Sequence, residues 1–220
     1  MDIYSFILGN KETFKIIYAA IIVFTCLLIV LKTNKLFQLS SHSGIRYFRN
    51  AFLFYGIAFF VRYFLVFTDI FGSIITPLFE FFIIMGGFFL TYSLLSKRLN
   101  LKFYYSSLLN PIISIFYLFA IILVLFDIIL KTSNFMFLSQ IVLFVVSSSI
   151  SYINYKEAGS KNKFLKFYFS AMILILLAWI LNFFVFLLFG GERSILINVY
   201  ILNLVFFLIF LYGVIKITKN

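Results

Sequence analysis

Along this chain, long apolar runs alternate with short polar breaks, and the runs exceed the helices of a water-soluble core. Stretches of about 20 mostly apolar residues, the length that crosses a bilayer as a helix, fall at about 14–31, 48–68, 74–95, 108–130, 134–155, 164–189 and 195–215. The pattern predicts an all-α, polytopic membrane protein with seven transmembrane helices in one domain, 1–220. The breaks at Tyr155 to Lys161 and Gly190 to Arg193 are clear. The break at Lys131-Thr132-Ser133-Asn134 is the weakest, and losing it would invert every later helix.

Composition narrows the class. The chain is 64% hydrophobic and 11% charged, whereas a soluble domain is about half apolar and about a quarter charged. Seven spans consume about 140 apolar positions and leave no room for a soluble catalytic domain. Cys26, the single cysteine, allows no internal disulfide. The first run is expected to stay as a helix, because Asp2, Lys11, Glu12 and Lys15 give no clear basic lead and Lys32-Thr33-Asn34-Lys35 offers no small-residue cleavage site.

A net charge of +11 would suggest nucleic acid in a soluble protein, but here its position reports orientation. Thirteen of the 18 basic residues collect on one side: Lys32, Lys35, Arg46 and Arg49; Lys97, Arg98 and Lys102; Lys156, Lys161, Lys163 and Lys166; Lys216 and Lys219. Only Lys11, Lys15, Lys131 and Arg193 lie opposite. That bias puts the N-terminus outside and the C-terminus in the cytoplasm of a multi-pass cell-membrane protein. It accounts for the charge without nucleic acid, and anionic headgroups are the partners expected at the basic face.

Two charges fall well inside the spans. Arg62 lies six residues before the end of the second span and Glu80 six residues after the start of the third, so both sit about 9 Å below the outer surface at 1.5 Å per residue. Equal depth on adjacent antiparallel helices predicts a salt bridge. Gln140, Trp179, Asn182, Asn198 and Asn203 fall at similar depth. With Arg62 and Glu80 they form the candidate ligand-binding cluster, against the alternative that they are hydrogen-bond glue between helices. Asp69, Asp127 and Glu192 read as solvated groups at the outer rim. Two stripes, Asn110-Ser114-Tyr117 and Gln140-Ser147-Ser151-Asn154, together with Gly86-Gly87, read as close-packing faces, and Pro77 reads as lying in the first turn of its helix.

Phe71-Gly72 and Phe189-Gly190 mark similar outer turns, followed nine positions later by Glu80 and Asn198, which hints at a three-plus-one-plus-three organisation. One histidine, His42, and one cysteine make no zinc site. No His-Glu-x-x-His, serine elbow or intramembrane aspartate pair occurs, so neither an enzyme nor a cofactor is expected. Retinal would need a mid-span lysine in the last helix, and Lys216 follows the span instead.

The segment Gly44-Ile45-Arg46-Tyr47-Phe48-Arg49-Asn50-Ala51-Phe52-Leu53-Phe54, with Arg62 later on the same helix, resembles the start of the second helix in small uncharacterised archaeal seven-helix membrane proteins. By topology the layout also resembles the heptahelical sensor segments of prokaryotic histidine kinases. Those continue into a signalling domain, so the resemblance implies a signal passed to a separate membrane or cytoplasmic partner. Ser96-Lys97-Arg98 stands where receptors coupled to G proteins carry Asp-Arg-Tyr. The expected role is a sensory or ligand-binding module, with small-solute transport as the alternative and a structural or assembly subunit third. A reporter fused at residue 220 should report a cytoplasmic position; a periplasmic or extracellular signal would overturn the threading.

Overall fold

In a computed structural model, residues 11–40, 43–64, 72–98, 111–157, 163–189 and 193–218 are described. Apart from the corner at 131–133 they are α-helical. The helices are α1 (Lys11–Ser40), α2 (Ser43–Phe64), α3 (Gly72–Arg98), α4 (Pro111–Leu130), α5 (Asn134–Glu157), α6 (Lys163–Phe189) and α7 (Arg193–Thr218). Five contain segments long and apolar enough to cross a membrane: Thr13–Gln38, Ile74–Ser96, Pro111–Leu130, Asn134–Glu157 and Leu165–Leu188.

The expected long connection from Lys32 to Tyr47 is mostly helix, since α1 runs to Ser40 and α2 begins at Ser43. Lysine ends a hydropathic run but not a helix, and no Gly or Pro interrupts 32–40. Arg49 fastens this end by donating from Nη1 to Asn34 Oδ1 at 2.6 Å. Pro77 is likewise inside α3, as its sixth residue, and not in its first turn. There it forfeits the bond its N–H would have made to Ser73.

Neighbouring helices pack in the order α1, α2, α3, α5, α6, α7 and back to α1, with α4 outside against α3 and α5. Aromatic rings fill the middle. Phe52 of α2 meets Phe210 and Phe207 of α7 at 5.2 and 6.0 Å between centroids, and Tyr168 of α6 meets Phe210 edge-on at 5.1 Å. Such edge contacts contribute about 0.5–1.5 kcal/mol each beyond area burial.

The α3–α5 seam shows how these elements are sorted. Glu80 meets Ser133, Gly87 meets Gln140, and Thr91 meets Ser147. The pairs advance together along both helices, so α3 and α5 run parallel and α4 returns between them. Thr91 Oγ donates to the Gly87 carbonyl at 2.9 Å, leaving a lone pair for the Ser147 hydroxyl 2.8 Å away. The buried face of α5 is largely polar, with Gln140, Ser147, Ser151 and Asn154 beside Met136 and Phe144, while Leu138, Val142, Val145 and Val146 are exposed. That inversion of the water-soluble pattern bears out the packing stripe on α5. On the other stripe, Ser114 is exposed, Tyr117 stacks on Phe81, and Asn110 lies outside the described residues. α4 buries only Ala120, Val124 and Asp127.

Both glycines of Gly86-Gly87 permit close approach. A Cβ on Gly86 would lie 2.9 Å from the Tyr55 ring, and one on Gly87 would lie 2.8 Å from Gln140 Oε1. The Tyr55 ring is rigid and buried, whereas the Gln140 amide ends a flexible side chain and, among the described residues, has no hydrogen bond to lose. Gly86→Ala should therefore cost about 1–3 kcal/mol and Gly87→Ala less, read as unfolding of the detergent-solubilised protein; equal losses would contradict this account of the seam.

Candidate functional site

The corner between α4 and α5 is built by one acid. At the end of α4, Lys131 takes a left-handed conformation, φ 51°. Its N–H reaches the Ile128 carbonyl at 3.3 Å, and the Thr132 N–H reaches the Asp127 carbonyl at 3.0 Å. This is the double bond pattern that closes many helix C-termini, here with lysine in place of the usual glycine. The Asp127 side chain then crosses the corner. It accepts from the N–H groups of Phe135 (3.0 Å, to Oδ1) and Met136 (2.8 Å, to Oδ2) and from Thr132 Oγ1 (3.1 Å).

Those two amides are the donors that the residue before a helix ordinarily satisfies with its own side chain. Ser133 holds that position, since the Phe137 N–H already bonds its carbonyl at 3.2 Å. Because Asp127 has taken the amides, the Ser133 hydroxyl is available elsewhere, and it donates to Glu80 Oε1 at 2.7 Å. Asp127 is 1% exposed, which corrects its reading as a solvated rim group. A carboxylate at the last turn of a helix opposes the helix dipole, and that mismatch was the signal that it serves the next helix.

Glu80 lines a cleft of about 630 Å³. Ile74, Thr76 and Pro77 of α3, Asp127 and Ile128 of α4, Lys131, Thr132 and Ser133 of the corner, and Phe186 of α6 complete its lining. Glu80 is 2% exposed, and among the described residues Ser133 is its hydrogen-bond partner. A buried charge without a counter-ion costs from about 3 to more than 10 kcal/mol in a membrane setting. A cation or a strong hydrogen-bond donor placed at Glu80 would offset that cost. Among the described residues, no group of three His, Cys, Asp or Glu stands ready to hold a metal.

The expected Arg62–Glu80 salt bridge does not form. Arg62 is exposed, and its guanidinium lies 4.3 Å from the centroid of the Phe79 ring and 5.9 Å from that of Tyr63. Contact with Phe79 matches the expected shared depth. The failure is azimuthal: successive helix residues point about 100° apart, so Phe79 faces α2 while Glu80 faces the α4–α5 corner.

The rest of the sequence-derived cluster is dispersed. Gln140 is 0% exposed and lies two turns along α5 from Ser133, with neither amide atom hydrogen-bonded among the described residues. Half-buried Trp179 meets Phe137 at 5.9 Å, and Phe137 meets the cleft-lining Phe186 at 5.3 Å. Asn182 is half-buried on α6. Asn203 is half-buried on α7, whose neighbours are α1 and α6. Asn198 also falls on α7, with its side chain outside the described residues, as are Asp69 and Glu192. Among the described residues, Glu80 is the one cluster member lining the cleft, and Thr76, Asp127, Lys131, Thr132 and Ser133 were not anticipated there.

Double-mutant cycles should separate these relations. Arg62→Ala with Glu80→Gln should be additive within about 0.5 kcal/mol, while Ser133→Ala with Glu80→Gln should couple by about 1–3 kcal/mol. Strong coupling in the first pair and none in the second would restore the salt bridge. Comparison with known protein families, characterised proteins and solved structures gives no match for this chain.

Proposed function

We propose that this is a seven-span membrane protein, N-terminus outside and C-terminus cytoplasmic, that works as a ligand-binding, sensory module through a separate partner. α2 and α7 complete the circuit between the apolar helices, and their 22 and 26 residues are about 33 and 39 Å long at 1.5 Å per residue, enough to cross beside them. The basic residues at one end support the orientation and would rest on anionic headgroups. The resemblance to heptahelical sensor segments agrees with this reading.

The observation that carries the ligand-binding role is Glu80, nearly fully buried yet lining a cleft, with a hydroxyl as its bonding partner among the described residues. The aromatic centre favours a sensor over a transporter, because alternating access needs a site that opens to either side. Small-solute transport remains the second reading, supported by the pattern of contacts. Exchanging α1, α2, α3 with α5, α6, α7 leaves the six-helix circuit unchanged.

A thermal-shift screen of the purified protein against small metabolites and ions tests the proposal. The expected result is a stabilising compound whose effect is lost in Glu80→Gln and retained in Arg62→Gln. Accumulation of that compound in proteoliposomes would favour transport, and stabilisation indifferent to Glu80 would remove the cleft from the function.

A further inference from the structure

We propose that the cleft binds a zwitterionic amine, its ammonium on Glu80 and its anionic group on Lys131. The proposal rests on the ligand-binding reading above and names the class of ligand. Two carboxylates line the cleft, and they are not equivalent. Asp127 has both oxygens committed to Thr132, Phe135 and Met136, so it is part of the wall. Glu80 has one oxygen on Ser133 and the other without a protein donor among the described residues.

Lys131 lines the same cleft and is exposed, and among the described residues no carboxylate lies within 4.0 Å of its ammonium. Its backbone is fixed by the two bonds that close α4, so its side chain starts from a defined point at the rim. The cleft therefore has a buried acceptor in its wall and, at its rim, a lysine that the fold does not pair with that acceptor. A simple cation would leave Lys131 unanswered and meet its repulsion. A simple anion would face two carboxylates. A molecule carrying both charges answers both groups at once.

Apolar Ile74 and Ile128, 50% and 48% exposed, stand beside these charges, as do Pro77 and Phe186, and they suit a carbon chain. The same chemistry occurs in an ethanolamine phospholipid headgroup, whose acyl chains would run over Ile74 and Ile128, and in a free zwitterion such as phosphoethanolamine.

The test uses the full chain in detergent micelles, titrated with phosphoethanolamine, ethanolamine and inorganic phosphate. Phosphoethanolamine should bind more tightly than either fragment. Glu80→Gln should weaken phosphoethanolamine and ethanolamine at least tenfold. Lys131→Gly removes the ammonium while relieving a left-handed backbone that glycine adopts without strain, so it should fold at least as well as the parent. It should weaken phosphoethanolamine several-fold and leave ethanolamine bound as tightly as before or more tightly, since the repulsion on a bare cation goes with the ammonium.

Mass spectrometry of the intact protein released from nanodiscs distinguishes the sources. A phosphatidylethanolamine kept by the parent and lost in Glu80→Gln assigns the lipid; titration by phosphoethanolamine without lipid retention assigns the free zwitterion. Phosphate binding as tightly as phosphoethanolamine, or zwitterion affinity indifferent to both substitutions, overturns the proposal. If neither zwitterion binds but a different compound acts through Glu80 in the screen, this proposal falls and the ligand-binding reading stands. If no compound acts through Glu80, both fall.

Discussion

The cleft depends on the bridge that Asp127 makes from the end of α4 to the start of α5. One carboxylate faces the electronegative end of its own helix and the electropositive end of the next, and the second relation wins because it carries two backbone hydrogen bonds. Hydrogen bonds to a charged group contribute about 1.5–3 kcal/mol each, against a dipole penalty of about 0.3–1 kcal/mol. The same bonds fix where α5 begins and release Ser133 from capping. A residue that looks peripheral to recognition thereby determines which group meets Glu80.

Around that corner the fold follows an inverted rule of burial. α5 turns amides and hydroxyls toward α3 and aliphatic chains outward, and α4 keeps little more than a stripe of Ala120, Val124 and Asp127 against its neighbours. Hydrocarbon around such apolar faces would give no hydrophobic drive for helix association, and small residues and hydrogen bonds hold the seam. Gly86, Gly87, Thr91 and Ser147 play these parts. The stacked and edge-on rings of Phe48, Phe52, Phe207 and Phe210 add close-packed contact at the centre.

Much of this was legible in the sequence, and the misreadings share a cause. Apolar runs located the helices because lipid thickness sets their length, yet they misjudged 32–47, where charge ends the hydropathic signal and the helix continues. Axial depth was readable for Arg62 and Glu80 because it follows from counting residues. Direction around the helix axis was not, because it depends on which neighbours pack on each side. The packing stripe Gln140-Ser147-Ser151-Asn154 was readable because its spacing repeats on one face. Asp127 was misread because its partners belong to the next helix, and a count from the membrane surface says nothing of what turns over it.

The circuit of contacts carries one more implication. The triplets α1–α2–α3 and α5–α6–α7 occupy interchangeable places, but α4 has no counterpart between α7 and α1 among the described residues. The unpaired helix supplies Asp127 and Ile128 and leads into the corner. Exchanging the triplets leaves the circuit unchanged but, among the described residues, does not reproduce the wall of the Glu80 cleft. A ligand of the proposed kind would therefore sit against a corner that only one of the two triplets adjoins through α4, and its binding would mark one side of the bundle.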